Sequence, residues 1–340
     1  MIPLNILDYS PVDEGYDPRV ALLQTTELAK RAEDLGYKRF WVSEHHHVLS
    51  VAGSNPEMLM MHLATSTNRI RIGSGGIMLP HYSAYKVAES FRILEALHPE
   101  RIDLGIGRSP SYRMVNKAMN ENKGRRPSYE QQVEDLYKFL TDDPSENHRF
   151  HKLIATPSIN TTPEIWTLGT GGGSAKIAAK NGTSYAFAYF TMPFDTGIEI
   201  VANYRREFQP SPFLKKPKVT IAVFAVVAET TEEAEEIAKA LDLWLLFVES
   251  ANPPPYYPSI RTAKKRGVTA AEQHKVTENR KRMIVGTPQH VKATIERLAE
   301  LYQADEITVI PNVAGIHNRM KGIELLAEAF DLMASKDGDS

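Results

Sequence analysis

The chain contains no cysteine among its 340 residues, which excludes disulfide bonds, thiolate metal sites and a cysteine nucleophile. It has no apolar run long enough to cross a bilayer, and its start, MIPLNILDYS, lacks a basic segment followed by a long apolar stretch. Neither a membrane anchor nor a secretory leader is therefore expected. Neither sign of charge is in excess. Lys plus Arg number 40 and Asp plus Glu 42, a formal net charge of −2, so no global attraction draws the chain to nucleic acid or to an anionic membrane. No repeat at a solenoid period is visible. What remains is a soluble composition, 42% hydrophobic and 24% charged, with material for one large core or two smaller ones. A cytoplasmic protein is expected.

Apolar, β-branched segments alternate with amphipathic ones along the whole length. Strands are expected at residues 2–8, 38–43, 69–79, 101–107, 164–169, 185–190, 218–228 and 305–310. Between and after them the spacing predicts helices at 18–35, 56–67, 84–97, 128–140, 174–181, 195–206, 230–246, 287–302 and 321–330. Gly36 and Gly182 stand where helices stop, and Ser128 stands where one starts. Eight strands each followed by a helix predict an α/β fold, a single-domain eight-stranded (β/α)8 TIM barrel with insertions, spanning about residues 1–335. A doubly wound open sheet is the alternative. In a barrel, the residues just after each strand converge on one face, so Tyr9, residues 44–47, Gly75-Gly76, Arg108 and residues 171–174 become neighbours.

The richest of these strand ends is Trp41-Val42-Ser43-Glu44-His45-His46-His47, where an apolar strand runs into a carboxylate and three imidazoles. A solvated turn is the bland reading; a ligand site at a strand tip is the sharper one. Two further loops carry phosphate chemistry. Gly169-Thr170-Gly171-Gly172-Gly173-Ser174 precedes a helix, so backbone N–H groups without Cβ obstruction can approach an anion at the positive helix end. Arg108 offers a fixed cation after the fourth strand. Either alone could be only a flexible turn or a loop salt bridge. Within the third strand, Gly73-Ser74-Gly75-Gly76 marks a bulge, a strained peptide or the close approach of a flat ligand. His45 and His47 could aim at one metal ion, but further ligands are not evident at later strand ends, and Asp103 lies inside its strand. No metal site is expected.

Through FWVSEHHH, IGSGGIMLPHYSAYKVAESFRILEALHPERIDLGIGR, LGTGGGSAKIAAKNG and VGTPQHV, in that order, the chain resembles the bacterial luciferase-like monooxygenases over most of its length. The resemblance implies the barrel already expected, with reduced FMN bound in its mouth as a cosubstrate and reacting with dioxygen, by way of a flavin hydroperoxide, to oxidise a small organic substrate. It implies His45 as the catalytic histidine with Glu44 beside it, and a Gly75-Gly76 pair joined by a cis peptide under the flavin ring. Arg108 and the Gly171, Gly172, Gly173 and Ser174 loop match the phosphate positions, and Tyr9 is expected to join the cofactor site. Gly107 stands where luciferase α subunits carry a reactive cysteine, so light emission is not implied. The expected partners are a separate flavin reductase, the small-molecule substrate and a second copy of the chain, with no nucleic acid and no membrane. A deazaflavin-dependent hydride-transfer enzyme of the same fold and a non-catalytic flavin-binding barrel are the alternatives. Residues 249–283, rich in proline and basic side chains, are expected to form a mobile lid over the mouth or else a surface excursion.

Overall fold

In the computed structural model, residues 2–109, 111–121, 123–124, 127–142, 148–191, 194–248, 250 and 253–333 are described. The chain alternates strand and helix from the start: β1 (Leu4–Asp8), α1 (Pro18–Leu35), β2 (Arg39–Val42), α2 (Pro56–Ser66), β3 (Arg71–Ser74), β4 (Ile77–Met78) and α3 (Ala84–Leu97). Then come β5 (Ile102–Gly107), α4 (Arg113–Met119), α5 (Tyr129–Thr141), β6 (Glu164–Gly169), α6 (Gly172–Asn181), β7 (Ser184–Ala188) and α7 (Phe194–Glu207). The last third holds β8 (Val219–Val227), α8 (Thr231–Val248), α9 (Ile260–Arg266), α10 (Ala270–Arg280), β9 (Met283–Gly286), α11 (Pro288–Tyr302), β10 (Glu306–Ile310) and α12 (Ile316–Ala329). Local chemistry explains the helix starts. Asp17, Asn55, Ser128, Ser259 and Thr287 each accept a backbone N–H of the first turn, and proline occupies an early position in α1, α2 and α11.

The sheet closes on itself. All pairs are parallel and run β1, β2, β3, β5, β6, β7, β8, β10 and back to β1, which is the eight-stranded barrel expected from the sequence. Two features add to that expectation. The third strand is interrupted at Gly75-Gly76, whose peptide bond is cis as the resemblance implies, and its continuation β4 pairs with the upper end of β5. The stretch between the helices expected at 230–246 and 287–302 contains α9, α10 and the extra strand β9, which lies on the upper end of β8 from Phe224↔Met283 to Val227↔Gly286. A reciprocal Thr269–Glu272 capping box starts α10, and it overrides the charge and proline content that suggested an irregular region. Four of the basic side chains there are ion-paired: Lys264 with Glu236, Arg266 with Glu272, Arg280 with Asp242 and Lys281 with Glu278. Of the lid expected at 249–283, residues 249, 251 and 252 lie outside the described residues, as does the expected domain end at 335.

Side chains alternate across the barrel wall. Outward positions such as Ile6, Phe40, Ile72, Leu104 and Ile165 join the layer packed against the helices. Inward positions start at the floor with Asn5, Arg39, Asp103, Glu164, Thr220, Glu306 and Thr308, then give way to Leu7, Trp41, Trp166, Ala222 and Phe224. At the floor, Arg39 is 1% exposed and makes two 2.8 Å bonds to Asp103, one of 2.8 Å to Glu306 and one of 3.0 Å to Glu164. Trp166 meets Trp41 edge-on at 5.3 Å directly above, with the Arg39 guanidinium 5.0 Å from the Trp166 ring. This end of the barrel is a plug.

Candidate active site

The mouth is built from the residues that follow β1, β2, β3, β5 and β6. After β2 the chain turns at once, because the backbone N–H of His45 is taken by the Gly53 carbonyl rather than by a neighbouring strand. The three histidines then part company. His45 Nδ1 lies 2.8 Å from Ser43 Oγ, and its ring packs 4.8 Å from that of Tyr9. His46 Nε2 lies 2.8 Å from Glu44 Oε1, with its ring edge-on to His81. His47 is exposed, has φ +59, and meets Tyr112. Burial, with repulsion from His46 adding to it, pushes the His45 imidazole down to about 4, so the ring is neutral near pH 7.

Glu44 stands beside His45 in sequence, but its carboxylate turns elsewhere. Oε1 accepts from His46 and from the Tyr82 hydroxyl at 3.0 Å, and Oε2 accepts the Met78 backbone N–H at 2.9 Å. Glu44 thus ties the strand tip to the chain just past Gly75-Gly76, and the hydroxyl that reaches His45 belongs to Ser43.

The glycines divide into two kinds. At Gly73 and Gly76 a Cβ would lie 2.5–2.6 Å from the Trp41 ring and from the Gly105 carbonyl, so protein neighbours alone require glycine there, whereas at Gly75 it would meet the end of the Leu7 side chain at 2.7 Å. Gly75 remains half-exposed toward the mouth. At Gly171 and Gly172 a Cβ would meet nothing within 4 Å, and neither has a positive φ. Nothing in the protein itself requires these two to be glycine. They begin α6, whose N-cap makes no side-chain hydrogen bond, and the Arg108 guanidinium lies 3.6 Å from where a Gly173 Cβ would stand. An exposed arginine beside free N–H groups at a helix start is a pocket for an anion. Ser174 does not face it: its hydroxyl donates to the Gly171 carbonyl at 2.9 Å and is buried under Gly169.

Between the anion pocket and His45 the wall is apolar and aromatic, with Leu7, Trp41, Leu168, Phe190 and Phe224. Tyr9 is 6% exposed, and burial holds its phenol above the ordinary range despite the opposing charge of Arg282. Arg282 is a mouth residue that sequence reading placed only in the lid; it follows α10 and donates to the Phe190 carbonyl at 2.9 Å. An exposed arginine beside a helix start, the glycine pair at 75–76, an apolar aromatic wall and a neutral imidazole, all at one end of the barrel, fit a phosphorylated aromatic cofactor such as FMN. Among the described residues, no three His, Asp or Glu side chains gather as a metal site requires, and no helix is long and apolar enough to cross a membrane.

Comparison with known proteins bears on the family and the fold. The sequence profile of the luciferase-like monooxygenases matches residues 6–305. The YwcH protein of Bacillus subtilis (strain 168) is 46% identical over 97% of this chain and 99% of its own length. The N-acetyl-S-alkylcysteine monooxygenase of the same organism is 34% identical over 97% of this chain and 98% of its own. Among solved structures, apo-MsnO8 superposes with a TM-score of 0.88 at 33% identity, covering 98% of this chain and 99% of its own. Two more distant structures share the fold, each 17% identical. One is the oxygenating constituent of 3,6-diketocamphane monooxygenase from Pseudomonas putida in complex with FMN, at a TM-score of 0.70, covering 97% of this chain and 98% of its own. The other is an F420-dependent secondary alcohol dehydrogenase, at 0.68, covering 96% and 98%. The chain belongs to the luciferase-like monooxygenase family.

Proposed function

We propose that the protein is the oxygenase of a two-component flavin monooxygenase that takes reduced FMN from a separate reductase and uses dioxygen to oxidise a small organic substrate. The observation that carries this reading is the anion pocket formed by Arg108 and the uncapped start of α6, with Gly171 and Gly172 open for no reason internal to the protein. Arg108 and the N–H groups of residues 172 and 173 would hold the FMN phosphate. Gly75-Gly76 would support the ring, and Tyr9 and His45 would bound it on the β1 and β2 side. When bound, the reduced flavin supplies the two electrons that let one oxygen atom enter the substrate while the other leaves as water. The protein's own part is to orient the ring, exclude water with its aromatic wall and present the neutral His45 imidazole to the reacting atoms. The segment carrying α9 and α10 is read as the cover that completes the mouth, because Arg282 at its end already reaches the site.

A cytoplasmic homodimer is the expected state. The exposed apolar side chains Met58, Ile93 and Leu97 on the adjacent helices α2 and α3 offer a surface for the second copy. The FMN-bound relative, named as an oxygenating constituent, supports a reductase partner. Supplying chemically reduced FMN and ¹⁸O₂ with a panel of thioethers and ketones tests the reading: label should appear in product, at no more than one oxygen per flavin oxidised. Oxidation of an alcohol by a deazaflavin without dioxygen would replace it with hydride transfer.

A further inference from the structure

Ser43 is 3% exposed, and its hydroxyl has one hydrogen-bond partner among the described residues, Nδ1 of His45 at 2.8 Å. A hydroxyl carries a single O–H and two lone pairs, and a buried O–H that donates to nothing is costly. The acceptor within its reach is Nδ1. If Nδ1 accepts, a neutral imidazole must carry its proton on Nε2. Nε2 has no protein partner among the described residues, and the ring is half-buried, with Tyr9 packed at 4.8 Å. Glu44, the carboxylate next in sequence, is fully engaged by His46, Tyr82 and the Met78 N–H.

We infer that Ser43 is a positioning residue that locks His45 in the Nε2–H tautomer, so that His45 meets its ligand as an uncharged hydrogen-bond donor and not as a base. A neutral N–H aimed into a water-poor mouth stabilises negative charge as it develops on an oxygen or a ring, and needs no prior protonation of the imidazole. The surroundings favour this. Tyr9 from the end of β1 is held neutral, His46 on the same loop is turned to Glu44, Arg282 reaches in from the end of α10, and among the described residues no carboxylate is hydrogen-bonded to His45. What the donor meets depends on the flavin reading above; the tautomer does not.

The test is long-range ¹H–¹⁵N NMR of ¹⁵N-histidine protein without flavin at pH 7, with His45→Gln to assign the signal. Wild type should show His45 Nδ1 as an unprotonated acceptor nitrogen and Nε2 as the N–H nitrogen. Ser43→Ala should give mixed tautomers, and Ser43→Thr, which keeps the hydroxyl, should restore the single form. With reduced FMN, Ser43→Ala should lose turnover at unchanged flavin affinity. A proton on Nδ1 in wild type, or a Ser43→Ala spectrum identical to wild type, would overturn the inference while leaving the flavin reading intact. If reduced FMN fails to bind while the tautomer pattern holds, the flavin reading falls and the Ser43 assignment stands. Because the wild-type spectrum decides by itself, an unfolded Ser43→Ala does not shelter the claim.

Discussion

The floor and the mouth of the barrel are lined by the same strands, and they treat polar groups in opposite ways. At the floor, Arg39, Arg71, Lys38 and Lys218 surround Asp103, Glu164 and Glu306, and every one of them is ion-paired. At the mouth, Arg108 is exposed, the first turn of α6 has no side-chain cap and His45 Nε2 has no described protein partner. The floor has nothing left to offer a ligand and works as a structural plug. The mouth holds groups whose interactions are incomplete without one, which is where binding and chemistry belong.

Substitutions at the two ends should therefore fail differently. The largest effect on activity is expected from His45→Ala, which should reduce oxygenation by about a hundredfold to a thousandfold, the range of a preorganised hydrogen-bond donor, while reduced FMN still binds and its electrons are diverted to hydrogen peroxide. Product formed per flavin oxidised measures this; a normal yield removes His45 from the chemistry. Arg39→Met should leave Asp103 and Glu306 buried without their shared cation and cost about 3–5 kcal/mol of stability. Urea unfolding reads that cost, and a shift below 1 kcal/mol would mean the floor network is not what holds this end together.

A smaller effect separates the ends by pH. His45 titrates at about 4 in the folded protein but near 6.5 when unfolded. Over that window the unfolded chain binds more protons, so stability should rise with pH from about 4 to 6.5 and level off above it. This contributes at most about 3 kcal/mol. His45→Gln should flatten that part of a stability-versus-pH curve. The acidic groups of the floor act lower: Arg39 holds Asp103 and Glu306 below the usual carboxylate range, so their contribution disappears only at more acidic pH.

The wall was more legible in the sequence than the side-chain partners at either end. Strand positions followed from runs such as residues 101–107 and 218–228, because apolar periodicity reports burial directly. The strand β9 escaped, since Met283–Gly286 is only four residues long and follows a charged segment. The partners of the mouth groups were not readable either. Neighbours in sequence suggested Glu44 for His45, yet the turn taken after β2 gives His45 to Ser43 and Glu44 to His46. Glycine was informative but ambiguous: the same residue type marks protein-filled space at Gly76 and open space at Gly171, and only the surrounding atoms tell them apart.

The most direct measurement of the central claim is an anaerobic equilibrium titration of wild type and Arg108→Ala with reduced FMN and with reduced riboflavin. The mouth as described predicts saturable binding of reduced FMN by wild type, weakened by about 1.5–3 kcal/mol in Arg108→Ala, and equally poor binding of riboflavin by both proteins. Reduced FMN bound no more tightly than riboflavin, or with the same affinity by both proteins, would contradict it.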